Sequence, residues 1–310
     1  MQAVLQREYG SADVLRLEDH PRPEAGKGVL VRMHAAAVCV GDWHLMTGLP
    51  YLIRLMGFGL RRPKHAVPGQ YVAGVVEEDA SGTFEPGDEV FGWCQGSYAQ
   101  YVAVPAGQLV RKPAAWSFEQ AAALPHGGFT AWQALRGVEP GQRVLVHGAS
   151  GAVGSLAVEI AKAGGAHVTA SCRANKAEFV RSLGADEVTE KPFGETYDRI
   201  LDNIHNRPDA TYRRALRPGG RSILVSTGTG RWTGGVQHII YASFGSVFTS
   251  RKLVPFLATP DHGDLEELAK LADTVTPRID RAFPLYEIAD AFTYLRSGAV
   301  RGHVVVTSQS

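Results

Sequence analysis

Residues 144–154 read Val-Leu-Val-His-Gly-Ala-Ser-Gly-Ala-Val-Gly, and no other stretch restricts the possible folds as strongly. The opening Val-Leu-Val is short and apolar, as a strand buried on both faces requires, while Leu156, Ile160 and Ala163 continue past the glycines at helical spacing. A strand, a glycine turn and a helix follow in order. Ala149, Gly151 and Gly154 occupy the three positions of a dinucleotide fingerprint, with alanine at the first. Gly151 lets backbone approach phosphate, Gly154 lets the helix pack close to the strand, and the helix N-terminus offers N–H groups to an anion. Ser150, Gly151, Ala152, Val153 and Gly154 are therefore expected to hold a pyrophosphate. A tight turn in any α/β domain would use similar glycines, so the downstream sequence has to discriminate.

A second apolar run, residues 166–170, ends about 20 residues after Ala149, where an NAD-binding chain would place an acid on the adenosine ribose. Here stand Ser171, Cys172 and Arg173, with Lys176 one turn on. A small residue followed by cations accepts a 2′-phosphate that an acid would repel, so NADPH is expected over NADH, with Cys172, Arg173 and Lys176 around the phosphate. The alternative is that Arg173 and Lys176 only cap and solvate the next helix.

The 310 residues are 45% hydrophobic and 20% charged, enough for two domains with their own cores. Cations exceed carboxylates by one, which argues for neither nucleic acid nor a membrane surface. No apolar run reaches about 18 residues, and the chain opens on a strand-like segment, so a cytoplasmic protein is expected. Cys39, Cys94 and Cys172 are odd in number and widely separated, which excludes a disulfide framework. Up to about residue 116, short β-like runs (29–38, 71–77, 89–94, 98–104) alternate with turns such as Pro86-Gly87-Asp88. From Ser117 a Ser-x-x-Gln capping box opens an alanine-rich helical stretch that Pro125 is expected to interrupt and residues 130–135 to resume. Helices at 175–183 and 209–216 then alternate with strands at 199–202 and 221–226, a helix is expected over 262–273, and 303–307 form a last strand. Such alternation builds a doubly wound parallel sheet. The expected domains are a mostly β unit of residues 1–116 and 263–310, and an α/β unit of residues 117–262.

Four further motifs, in order and at suitable spacing, give the chain its resemblance. Residues 69–76, Gly-Gln-Tyr-Val-Ala-Gly-Val-Val, resemble a Pro-Gly-x-Asp-x-Ala-Gly segment; Pro86-Gly87-Asp88-Glu89-Val90 resembles a Pro-Gly-Asp-x-Val turn; residues 121–131 resemble an Ala-Ala-x-Leu-Pro…Thr-Ala helix; and Leu183-Gly184-Ala185-Asp186 completes the set. Over nearly its whole length the chain resembles the medium-chain dehydrogenase/reductase superfamily, in its zinc-independent quinone oxidoreductase and enone reductase branch. The resemblance implies a GroES-like catalytic domain, a Rossmann domain, a nicotinamide in the cleft between them, and often a homodimer. It also places Thr130 on the nicotinamide side, and Asn203 and Thr227 at strand ends near the cofactor.

Zinc-dependent members bind metal through Cys, His and Cys or Asp, the His lying in a Gly-His-Glu triplet. This chain has Cys39 at the first position but Gln70-Tyr71 in place of His-Glu. An amide does not replace an imidazole on zinc, so no metal site is expected, although a Cys39/His126 pair is conceivable. Many quinone reductases carry Asn where Cys39 stands and Tyr where His44 stands, and the usual Asp is Tyr71. His44, Tyr71 and His126 are thus the candidate proton or hydrogen-bond donors, each with a purely structural alternative. The apolar segment 44–64, interrupted by Arg54, Arg61, Arg62 and Lys64, is expected to line or cover a hydrophobic substrate pocket; a glycine-rich loop at 228–235 carrying Trp232 is a second candidate. The expected activity is hydride transfer from NADPH to a quinone, enone or similar small hydrophobic acceptor. The rivals are a non-redox binding protein on the same fold and a zinc-dependent alcohol dehydrogenase.

Overall fold

Ten consecutive residues of β3 (Val29–Val38), nearly all buried, form the spine of the first unit. In the computed structural model, which describes residues 1–225 and 249–308, the chain divides into Met1–His126 with Pro260–Asp273 and Pro277–Ser310, and Gly127–Thr259 with Thr274–Thr276.

In the first unit, β1 (Gln2–Gln6) and β2 (Leu15–Asp19) form an antiparallel ribbon. A larger sheet is built on β3, which serves three partners: β4 (Tyr71–Asp79), β6 (Tyr101–Val104) at its start and β15 (His303–Thr307) at its end. A register shift between Met33 and Ala35 bends the strand so that it can change partners. Beyond β4 lie β5 (Glu89–Trp93) and β7 (Leu109–Arg111), and β14 (Ile279–Pro284) edges the sheet beside β15. Val31, Met33, Val72, Val90, Leu109, Phe292 and Val304 fill the core. The helix α1 (Val40–Thr47) leaves the end of β3 directly.

In the second unit six parallel strands stand in the order β10 (Glu187–Thr189), β9 (His167–Ser171), β8 (Arg143–His147), β11 (Tyr197–Asp202), β12 (Leu216–Leu224), β13 (Lys252–Pro255). The chain winds outward one way from β8, then returns to wind the other way from β11. This is a doubly wound sheet whose strand order reverses between β8 and β11, where such sheets take ligands. Val144, Leu145 and Val146 are inaccessible, as expected of a central strand.

Three local expectations need correction. The helix α2 (Phe118–Leu135) runs unbroken through Pro125; the lost N–H bond is offset by burial of Ala121 to Leu124, Phe129 and Ala131 on both sides. The capping box that opens it is formed: Gln120 N–H donates to Ser117 Oγ, and Ser117 N–H to Gln120 Oε1. The strand expected over 221–226 begins earlier: β12 opens at Leu216 and contains Pro218-Gly219-Gly220, where the pairing jumps from Tyr197–Leu216 to Arg199–Arg221. The residues between bulge out, which a proline without a ladder donor favours. Residues 98–100 lie outside β6, although Ala99 bridges to Ala3.

Backbone approaches backbone closely at the junction of β8 and α3 (Ala152–Ala163). A Cβ at Gly154 would sit 2.2 Å from the Gly148 carbonyl oxygen and 2.7 Å from Ala149 Cα, both backbone atoms that cannot swing away. Gly154→Ala should therefore lower unfolding free energy by about 1–3 kcal/mol, measured by denaturant titration.

Candidate functional site

The turn after β8 has the chemistry of an anion cradle. Gly151 is the N-cap of α3 and has no side chain to satisfy its first-turn N–H groups. A Cβ built on Gly151 meets nothing closer than the Gly148 carbonyl at 4.0 Å, so the space over the turn is open to a ligand. Ser150, Ala152 and Val153 complete the turn and are partly accessible. A pyrophosphate fits this cradle.

At the neighbouring strand ends, His147 is held by Ser171 Oγ at 2.5 Å and by Asn206 Oδ1 at 3.1 Å. Asn203 donates to the His147 carbonyl from its backbone (3.1 Å) and its amide (3.2 Å), while its Oδ1 is buried without a hydrogen-bond partner among the described residues. Cys172 is half-buried and desolvation raises its thiol pKa. Arg173 is exposed at the N-cap of a short 3₁₀ turn, Ala174–Lys176, that runs into α4 (Ala177–Ser182). The expected single helix over 175–183 is thus divided. Lys176, in contrast, is buried, which leaves Arg173 as the exposed cation at this strand end. Glu190 accepts the Ala174 N–H at 2.7 Å, so the anion site is not uniformly basic. Thr130 lies half-buried on α2. Thr227 and the loop 228–235 with Trp232 lie outside the described residues.

The first unit carries a buried polar cluster that sequence reading did not find. Cys39 caps α1, its Sγ accepting the Asp42 N–H, while Asp42 reaches back to the Cys39 N–H at 3.3 Å: a capping box with cysteine in place of serine. Asp42 is 2% exposed yet surrounded by donors. The Cys39 thiol donates to Oδ2 at 3.0 Å, Tyr98 Oη to Oδ2 at 2.8 Å, and Gln70 Nε2 to Oδ1 at 3.0 Å. Burial raises the Asp42 pKa, and those hydrogen bonds oppose the rise. The same burial, with the Asp42 charge, pushes the Cys39 thiol well above its ordinary range. Cys-x-x-Asp at a helix start was the available signal for this cluster.

Tyr71 begins β4, opposite Trp93, with its ring 5.6 Å from that of His126. Burial, then the neighbouring Cys39, Asp42 and Cys94, raises its phenol pKa well above the usual value. His126 is held neutral, its pKa lowered by burial to about 4. His303, at the start of β15, is its electrostatic neighbour; burial and His126 lower its pKa to about 3, and its Nε2 is buried without a partner among the described residues. The structure thus brings Tyr71 and His126 together and adds His303. His44 is turned to local use: a carbonyl oxygen can only accept, so its Nδ1–H donates to Leu49 O at 2.6 Å. Of the segment after it, Phe58, Pro63 and Lys64 line a shallow hollow with Asp42 and Leu45. Leu55, Met56 and Leu60 point outward.

Comparison with known proteins agrees with this architecture. Residues 25–114 match the alcohol dehydrogenase GroES-like domain, and residues 175–306 match the zinc-binding dehydrogenase family. The mitochondrial NAD(P)H oxidoreductase RTN4IP1 of Mus musculus is 31% identical over 96% of this chain and 87% of its own length. The chain belongs to the medium-chain dehydrogenase/reductase superfamily, in its quinone oxidoreductase branch. The 2-methylene-furan-3-one reductase of Solanum lycopersicum is 32% identical over 99% of the chain and 79% of its own length. Among solved structures, the quinone oxidoreductase from Coxiella burnetii superposes with a TM-score of 0.82 at 26% identity, covering 100% of this chain and 99% of that one. The protein is thus an oxidoreductase of the medium-chain type with a nicotinamide cofactor, and the glycine turn fits that cofactor's pyrophosphate. At the two positions that the sequence compares with metal ligands, the Gln70 amide and the Cys39 thiol both donate to the Asp42 carboxylate.

The buried histidines make stability depend on pH. The unfolded chain protonates His303 near its ordinary 6.5, whereas the folded chain does so only at about 3. The stabilisation is therefore present above about pH 6.5 and is lost as pH falls towards 3. Guanidinium titrations should show unfolding free energy falling by roughly 3 kcal/mol from this residue between pH 7 and pH 4, and His303→Asn should remove that part of the slope.

Proposed function

We propose that the protein reduces a quinone, enone or similar activated double bond with NADPH and without catalytic zinc. The observation that carries this reading is the Asp42 cluster: Gln70 stands where a zinc-binding member has histidine, and both Gln70 and the Cys39 thiol donate to one carboxylate instead of facing a metal. The tomato and mouse relatives, a 2-methylene-furan-3-one reductase and an NAD(P)H oxidoreductase, support the same class.

When bound, the nicotinamide supplies hydride to an electron-poor carbon. Backbone N–H groups of Ala152 and Val153 at the start of α3 hold the pyrophosphate, and Ser150, Gly151 and Gly154 shape the turn. Arg173 pairs with the 2′-phosphate, next to Cys172, with Lys176 as a buried neighbour. Asn203, whose Oδ1 has no other hydrogen bond among the described residues, serves the cofactor's nicotinamide half with Thr130 and Thr227. Without a metal to polarise the acceptor, the substrate must already be activated, and side-chain donors stabilise the oxygen on which charge develops. Tyr71 meets that need with a phenol O–H, which stays protonated at neutral pH and beyond because burial raises its pKa further. His126, neutral at pH 7 and beside the Tyr71 ring, is the second candidate, and His44, whose Nδ1–H donates to Leu49 O, is the third.

NADPH oxidation against a panel of quinones and enones tests the reading; no turnover with any of them would refute it. Arg173→Ala should lower kcat/KM for NADPH by about tenfold to a hundredfold while leaving NADH nearly unchanged, and an equal effect on both would remove Arg173 from the phosphate site. Tyr71→Phe should lower kcat by about tenfold to a hundredfold with little change in NADPH binding, read from steady-state kinetics and a fluorescence titration. Elemental analysis of protein purified without added metal should find no stoichiometric zinc.

A further inference from the structure

Between Asp42 and Glu77 the sequence contains no carboxylate, yet it carries Arg54, Arg61, Arg62 and Lys64. The chain's 32 cations exceed its 31 carboxylates by one, so the remainder is net negative and the positive charge is concentrated here. The same segment exposes apolar side chains: Leu55 is 71% exposed, Met56 61%, Leu60 63% and Phe58 39%. Exposed large apolar residues elsewhere in the described chain, such as Leu17, Ile204 and Leu257, do not gather in this way. A cluster of four within six residues is the kind of exposed patch that marks an interaction surface.

The segment is held in place from behind. Tyr9 Oη donates to the carbonyls of Phe58 (3.0 Å) and Gly59 (2.6 Å), and the Arg54 guanidinium donates to Gly48 O at 3.0 Å while stacking 4.3 Å from the Tyr9 ring. Lys64 N–H closes on Phe58 O at 2.8 Å across Gly59, whose φ of +110° turns the chain, so Leu60, Arg61 and Arg62 ride at the tip. Arg61, Arg62 and Lys64 are exposed and form no ion pair among the described residues. The exposure of the apolar side chains is thus fixed by anchored backbone.

We propose that this tip, residues 55–64, docks the protein on the surface of an anionic phospholipid bilayer. The apolar side chains enter the boundary between headgroups and acyl chains, and Arg61, Arg62 and Lys64 meet the headgroup phosphates. Exposed apolar side chains flanked by unpaired cations, on a stretch with no carboxylate between Asp42 and Glu77, complement the apolar interior and negative surface of such a bilayer. No helix of the described residues is long and apolar enough to cross a membrane, so the contact is peripheral. The docking surface stands on this geometry and does not depend on the acceptor that the enzyme reduces.

The test is sedimentation of the full-length protein with vesicles of phosphatidylcholine alone or mixed with phosphatidylglycerol. The protein should pellet with the mixed vesicles, much less with the neutral ones, and less as salt is raised. Replacing Arg61, Arg62 and Lys64 together with Gln should lower the partition coefficient on the order of a hundredfold. Leu55→Ser with Leu60→Ser should abolish pelleting without altering the thermal unfolding midpoint or NADPH affinity. Wild-type protein that stays in the supernatant, pellets equally with both vesicle types, or pellets unchanged after either replacement overturns the proposal. Light scattering that shows a dimer which the Leu55→Ser, Leu60→Ser variant dissociates would assign the patch to a second copy of the chain and equally overturn it, as would capture by an acidic protein without vesicle binding.

Discussion

A carboxylate buried to 2% exposure must be surrounded by donors, and in the first unit Asp42 organises the structure that way. Its four hydrogen-bonding partners come from three places: the end of β3 and cap of α1 through Cys39, the approach to β4 through Gln70, and the approach to β6 through Tyr98. Tyr98 also donates to Ala37 O, so the same phenol binds the spine strand. Loss of any one donor would leave the buried carboxylate with one hydrogen bond fewer and no water to replace it, which ties these segments to one geometry. The chemistry follows from that geometry. Cys39 and Gln70 support the carboxylate, and Tyr71 and His126 stand beside them as neutral polar groups.

The second unit depends on close backbone approach instead of charge. Gly154 allows α3 to sit against the turn at Gly148, and that contact aims the start of the helix beyond the C-terminal end of β8. Strand order reverses at the same point, between β8 and β11, so the helix start, His147 and Asn203 gather at one sheet edge. Anion binding is then a property of the fold: helix N–H groups lack internal partners wherever a helix begins. At the end of β9, Arg173 is exposed and Glu190 accepts the Ala174 N–H, so a cation and a carboxylate stand close together there.

Features set by neighbours in sequence were legible; features set by distant partners were not. The glycine turn, the Ser117–Gln120 capping box, the bounds of β3 and of the last strand all follow from residues a few positions apart. Pro125 was misleading because its local effect is real, but burial along both sides of α2 outweighs one missing hydrogen bond. The short edge strands β7 and β10 carry only three residues each, too few for periodicity to register. Family motifs point to Tyr71 and His126 one at a time and only the fold puts their rings together, whereas Asp42 and Tyr98, 56 residues apart, carry no sequence signal of their contact. His303 was read as the first residue of a strand, and only the fold reveals that it faces His126.

The sequence alone determined the two kinds of unit, the dinucleotide turn and the absence of a histidine where zinc-binding relatives have one, because each is written in residue type at short spacing. Tertiary structure decided which polar groups would be buried and which charges would stay in solvent. Lys176 and Arg173 look equivalent on paper, yet one is buried and the other exposed. A net charge of +1 describes the chain as a whole and conceals a basic, apolar tip at 55–64 on an otherwise net-negative protein. Electrostatic and desolvation energies depend on distances in space and on access to water, and a linear sequence specifies neither until the chain has folded.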